Sequence, residues 1–166
     1  VGGVSSKAGL FEVPLGPVAE RVEVRRLPPL GGVDVLTLGL PGWFDREVPY
    51  SYQDDDVMPF VLYSKAVTTL EALDVWRPDV IHCNDWHCGL VAQDARQGPH
   101  RRALERTGIV FTIHNIAYQG MFGRDVMALT ALPGYLFNHK QLEFHGHFNF
   151  LKAGIVYACG PQRVSQ

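Results

Sequence analysis

Apolar residues in this chain gather into two short β-branched runs, each closed by polar residues. The first is Val80-Ile81, entered through Pro78-Asp79 and leaving through His82-Cys83-Asn84-Asp85. The second is Gly108-Ile109-Val110-Phe111-Thr112-Ile113, leaving through His114-Asn115. Runs of this kind, bounded by Pro or Gly, read as buried strands. Asn84 and Asp85 are favourable N-cap residues for a helix predicted from about Trp86 to Gln97. Ligands of an open parallel sheet sit beyond the carboxyl ends of its strands. Two neighbouring strands would therefore bring Asn84, Asp85, His87, His114 and Asn115 to one rim.

Upstream, the alternation over Val22 to Leu27 predicts a strand ended by Pro28-Pro29, and Val33 to Leu38 predicts a second, buried strand. The rest of residues 1–32 is rich in Gly and Pro and gives no clear pattern, with Gly2-Gly3 and Gly31-Gly32 as turn candidates. Residues 39–58 form a long irregular segment, of a kind that is often functional. Pro59, after Asp54-Asp55-Asp56, suits the first turn of a helix running to about Trp76. Its apolar residues make two stripes, Phe60, Tyr63, Val67, Leu70 and Leu62, Ala66, Leu73, Trp76, so it should pack on both sides. Downstream, residues 115–124 are loop-like, and residues 125–148 mix short helical pieces with a turn at Pro133-Gly134. Asn149 to Ala158 reads as a buried helix in which Ala153 and Gly154 allow close packing. The alternation of strands and helices predicts a doubly wound, Rossmann-like α/β fold with a parallel sheet.

Composition narrows the function. At 166 residues, 46% hydrophobic and 19% charged, the chain is sized and composed for one globular domain. A net charge of −2 gives no electrostatic reason to expect nucleic acid or an anionic membrane. No apolar run is long enough to span a bilayer, and Val1 to Ser6 lacks the pattern of a signal peptide. The first residue is Val1 and not Met, which suggests a processed chain or an internal fragment. Three cysteines, Cys83, Cys88 and Cys159, do not make a disulfide framework, and a reducing cytoplasm is expected.

Four chemistries compete for the polar residues. His82, Cys83, Asp85, His87 and Cys88 are all possible metal ligands, but their spacing fits neither HExxH nor paired CxxC knuckles, and His82 and Cys83 should face opposite ways. Cys88 beside His87 could be a nucleophile, although neighbours on a helix diverge and a buried small hydrophobe is the simpler reading. No glycine-rich phosphate loop is present in the chain. Sugar binding fits best: Asp, Asn and His at strand ends can take hydroxyl groups, and Trp86, Tyr118 and Phe122 can offer flat faces to sugar rings. The plain alternative makes Asp85 an N-cap and His114 an ordinary loop histidine.

A resemblance decides between them. Ile81-His82-Cys83-Asn84-Asp85-Trp86-His87 resembles the H-x-[HN]-D-W-H segment of bacterial glycogen synthases and plant starch synthases. Val110 to Gly120 resembles their V-F-T-[IV]-H-N-[IL]-A-Y-Q-G segment almost letter for letter. Trp43-Phe44-Asp45-Arg46, Leu142-Glu143-Phe144-His145-Gly146 and Asn149 to Ile155 resemble [YF]-F-D-R, L-E-F-[YWN]-G and N-F-L-K-A-G-I, in the family's order. The resemblance covers residues 33–158, with 1–32 a poorly matched N-terminal segment and 159–166 a divergent tail.

The resemblance implies most of the N-terminal half of a GT-B glycosyltransferase, with the C-terminal nucleotide-binding domain absent. It implies retaining transfer of glucose from ADP-glucose, or UDP-glucose in some members, to the 4-hydroxyl at the non-reducing end of an α-1,4-glucan. The partners it implies are a glucan acceptor and a nucleotide-sugar donor, with no metal and no other cofactor. By the same resemblance His114 lies at the transferred glucose and Asp85 on the acceptor side, as catalytic residues. Asn115, Tyr118, Gln119 and Gly120 would shape the substrate pocket, and Trp86 and His87 would support its rim. Lys7-Ala8-Gly9-Leu10 only partly echoes the family's K-T-G-G-L phosphate loop, and no phosphate role is carried to Lys7. Without its second domain the chain is expected to be inactive in transfer. A non-catalytic glucan-binding module is the alternative reading.

Overall fold

The computed structural model describes residues 6–15, 17–45, 47, 56–72 and 77–158. Three antiparallel strands come first, β1 (Ser6–Leu15), β2 (Val18–Leu30) and β3 (Val33–Gly39), in the spatial order β1-β2-β3. Phe11, Val13 and Leu15 of β1 are buried together with Val22 and Val24 of β2, while Glu12 and Pro14 face out. That is the period-two alternation of a sheet with one wet face. The β2–β3 turn is Gly31-Gly32, both at positive φ (59° and 83°), which suits a two-residue hairpin closed by the Leu30–Val33 pair.

Two expectations fail in this meander. The strand predicted to stop before Pro28-Pro29 runs on to Leu30, because the β2–β3 ladder is irregular between Leu27 and Leu30 and the prolines need not donate there. Strand β3, expected to be buried, has no fully buried residue, since it is the outer strand of a half-solvated sheet. Lys7 to Leu10 lie within β1 and not in a loop.

Helix α1 (Val57–Ala72) starts two residues before the expected Pro59. The predicted Leu73 and Trp76 fall outside the described residues. The residues do not divide into the two expected stripes: Phe60 and Leu70 of the first join Leu62 and Ala66 of the second in the main core, while Tyr63 and Val67 pack on a second cluster. The helix lies against both β1 and the next helix, which accounts for its wide apolar face.

Strand β4 (Val80–Asn84), a single 3-10 turn (Trp86–Cys88), helix α2 (Gly89–Gln97) and strand β5 (Gly108–Thr112) follow. β4 and β5 pair in parallel, from Val80 with Gly108 to Asn84 with Thr112. Ile81 and Cys83 face inward onto Val91, Ala95 and Leu104, and Val80, His82 and Asn84 face outward. This β–α–β unit is the Rossmann-like part of the fold. The remaining elements are β6 (Met121–Phe122), α3 (Val126–Thr130), β7 (Glu143–Phe144), β8 (His147–Asn149) and α4 (Phe150–Ala158), with β6, β8 and β7 forming a small antiparallel sheet. No helix among the described residues is long and apolar enough to cross a membrane.

Two glycines let the layers close. An added Cβ at Gly89 would collide with the carbonyl of Phe150, so α2 and α4 cross at backbone contact. An added Cβ at Gly154 would enter the ring of Phe111 on β5. Between α1 and α2 the buried carboxylate of Asp94 accepts a 2.6 Å hydrogen bond from Thr68 Oγ1, with Lys65 Nζ 4.0 Å away.

Because the atom opposing Gly89 is backbone, no side-chain rotation can relieve a clash there. Gly89→Ala should cost about 3 kcal/mol or more. At Gly134, where an added Cβ meets nothing within 4 Å, Ala should cost less than about 0.5 kcal/mol. Urea midpoints at unchanged slope check the pair; equal midpoints would refute the backbone contact.

Candidate active site

Asp85 sits at φ 59°, ψ 179°, a region that side chains other than hydrogen rarely enter. It does not cap a helix as the sequence suggests: no side-chain cap bond forms, and the predicted Trp86–Gln97 helix is split into the 3-10 turn and α2. The carboxylate is used elsewhere. Its Oδ1 accepts the backbone N–H of His114 at 2.7 Å. The Asp85 N–H donates to the Thr112 carbonyl at 2.8 Å, and its own carbonyl accepts from Cys88 N–H at 3.1 Å. A strained backbone is thus tied to the end of β5 on both sides.

The loop after β5 is braced at nearly every step. Asn115 Oδ1 accepts the Ala117 N–H at 3.0 Å, and its carbonyl accepts from Tyr118 N–H at 3.2 Å. Gln119 Nε2 donates to the Ile116 carbonyl at 3.2 Å, and its Oε1 accepts from Asn149 Nδ2 at 2.9 Å. The first N–H groups of a helix lack partners inside it. In α4 those of Phe150 and Leu151 donate to the carbonyls of Gly120 and Gln119, at 3.1 and 3.0 Å. Asn149 Oδ1 accepts the Lys152 N–H at 2.7 Å, completing the helix start. The loop is therefore docked on a helix N-terminus.

Beside the loop lies a cavity of about 470 Å³ lined by Asp85, Trp86, His87, Asn115, Tyr118, Gln119 and Gly120. Every site residue expected from sequence except His114 lines it. His114 stands at its edge, exposed, with its N–H on Asp85 and its ring Nε2 3.0 Å from Asn84 Oδ1. Asp56, Ala117, Met121 and Phe122 complete the wall. Asp56 is only 3% exposed, yet its acidic run read merely as favouring a helix start. The Trp86 indole packs edge-on against Phe60 and Phe150, with centroids at 4.9 and 5.7 Å, and near the His87 ring at 4.1 Å. Gly120, at φ 59°, has no room for a Cβ because Trp86 occupies the space.

Burial pushes the His87 imidazole below its ordinary value of 6.5, against the pull of Asp85 and Asp56. Burial also raises the Cys88 thiol and lifts Cys83 to about 12, so neither is poised as a thiolate. Among the described residues no group of three His, Cys, Asp or Glu is placed to hold a metal ion.

A family model described as the starch synthase catalytic domain matches residues 3–166. The chain belongs to the starch synthase catalytic domain family. The glycogen synthase of Moorella thermoacetica is 35% identical over 85% of this chain and 29% of its own length. That of Francisella philomiragia is 32% identical over 98% of this chain and 35% of its own. The catalytic domain of starch synthase IV from Arabidopsis thaliana, solved bound to ADP and acarbose, superposes with a TM-score of 0.81 at 22% identity. The match covers 93% of this chain and 32% of that one, and it shows that the chain shares the fold of the matched part. The chain thus spans about a third of the length of such relatives.

The depressed His87 gives the chain a pH signature. Above 6.5 the imidazole is neutral in both folded and unfolded chains, and its contribution to stability is complete. As pH falls from 6.5 toward the lower native value, the unfolded chain binds the proton first and that contribution is lost. The urea midpoint should therefore fall as pH drops through 6.5, and His87→Gln should flatten the fall. An equal fall in the variant would contradict the buried, neutral histidine.

Proposed function

We propose that this chain forms the acceptor-side half of a hexosyltransferase. The enzyme would move glucose from ADP-glucose to the non-reducing 4-hydroxyl of an α-1,4-glucan, with retention of configuration. One observation carries the reading: the cavity beyond the parallel strand ends joins the exposed ring of Tyr118, beside the buried Trp86, to the polar groups of Asp85, His87, Asn115 and Gln119. The glycogen synthase relatives and a structural neighbour solved with ADP and acarbose support it. A reducing cytoplasm accords with the free thiols of Cys83 and Cys88.

Asp85 and His114 are the catalytic pair in this reading. Oδ1 of Asp85 is taken by the His114 N–H, which leaves Oδ2 to accept a sugar hydroxyl. His114 orients the transferred ring beside the point where an oxocarbenium-like centre develops. Asn115 and Gln119 hold the loop as well as lining the cavity, so Tyr118 and the Gly120 backbone present the surface a sugar meets. Arg, Lys and helix N-termini of a second, nucleotide-binding domain would receive the departing diphosphate without a metal. The chain by itself is then a glucan-binding half without turnover.

Maltoheptaose added to this chain should quench tryptophan fluorescence saturably, with a Kd of roughly 1 mM, and Tyr118→Ala should weaken binding about tenfold. ADP-glucose should give no saturable response. Absence of a maltoheptaose response would overturn the reading, and binding in a native protein without any transferase activity would leave only a glucan-binding module. In the full-length native protein His114→Ala should lower turnover by about 10²-fold or more. Full turnover in that variant would remove His114 from the chemistry.

A further inference from the structure

We propose that Asn84 is the positioning residue that sets the tautomer of His114, holding the ring as Nε2–H with Nδ1 open to accept a sugar hydroxyl proton. The claim about the hydroxyl rests on the proposed function, whereas the claim about the tautomer rests on geometry alone.

The outward face of the β4–β5 pair carries a diagonal ladder. Val80, His82 and Asn84 project outward from β4, and Asn84 lies opposite Thr112 in register. Side chains reach two positions further along the neighbouring chain. His82 Nε2 meets Thr112 Oγ1 at 2.7 Å, and Asn84 Oδ1 meets His114 Nε2 at 3.0 Å. An amide oxygen carries no proton, so the ring nitrogen facing it must be the donor. A neutral imidazole that donates from Nε2 has its lone pair on Nδ1.

Two consecutive residues therefore fix His114 from different directions. Asn84 holds the ring, and Asp85, turned by its positive φ, holds the backbone N–H at 2.7 Å. Nδ1 has no hydrogen-bond partner among the described residues, and the residue is exposed at the cavity edge. The chemistry of the partner matters too. A hydroxyl such as that of Thr112 can donate or accept and leaves the tautomer of His82 open. The amide oxygen of Asn84 selects one tautomer and adds no charge. Metal-bound histidines are oriented in the same way by a partner on their second nitrogen.

Long-range proton–nitrogen correlation spectra of the ¹⁵N-labelled chain, recorded above the histidine titration range, test this directly. His114→Gln assigns the signals. The native chain should show His114 with the Nε2–H pattern. Asn84→Ala should shift both ring nitrogens toward the averaged positions of a tautomer mixture, with the His82 signals in place. Asn84→Asp, which keeps an acceptor oxygen at the same point, should restore the Nε2–H pattern. An Nδ1–H pattern in the native chain, or His114 signals that ignore Asn84→Ala, would overturn the assignment. Failure of maltoheptaose binding alongside the expected spectra would sink the sugar reading and leave the positioning role standing.

Discussion

The position of Trp86 is the constraint on which the rest of this structure depends. Its indole is wedged among Phe60 of α1, Phe122 of β6, Phe150 of α4 and the neighbouring His87. Burying a ring of this size removes about 200 Å² from water and stabilises the fold by about 5 kcal/mol. Besides its own turn, it touches three separate parts of the chain, so the indole fixes where the loop before β6 can run. Gly120 must pass its face without a Cβ, and the next carbonyl contacts are made by the start of α4. Two segments 30 residues apart, joined by the Gln119–Asn149 hydrogen bond, are thereby held as one body.

The strain at Asp85 belongs to the same arrangement. A non-glycine residue in this conformation costs about 1 to 3 kcal/mol, and it persists only when its surroundings determine it. Here they do. The backbone of Asp85 is bonded to Thr112 and Cys88, and its carboxylate to His114. Trp86 directly follows, so the buried indole pulls the chain inward just where the strand ends. The turn that strains Asp85 also swings its carboxylate across to the neighbouring loop, which a regular cap geometry would not do.

These contacts explain which features could be read from the sequence. The β4–β5 pair and the close-packed α4 were legible because each follows from a local period and a few small residues; the two stripes read in α1 were not, since Phe60 and Leu70 share the main core with Leu62 and Ala66. Strand β1 was not, because the register shift between Lys7 and Gly9 and the nearby prolines break its alternation. Asp85 looked like a cap because capping propensity is local, whereas its true partner is 29 residues away. Asp56 was hidden for the same reason: nothing in an acidic run says which carboxylate will be turned into a cavity wall. His114 was expected on a rim beside Asn84 and Asp85, and the bonds from those two residues hold it there, on the outward side of the strand pair.

That placement bears on how such a site can work. The cavity wall is rigid, because its loop bonds to a helix N-terminus and packs on a buried indole, so a ligand entering it orders little that is not already ordered. His114 lies outside that wall but is no looser for it, being tied at the ring and at the backbone. The same anchoring leaves Ile116 and Tyr118 60% and 53% exposed above it. Exposed apolar side chains on a loop this well braced are a surface prepared in advance. Together with the bonded side chains of Asp85, Asn115 and Gln119, they stand in one fixed relation before any ligand arrives.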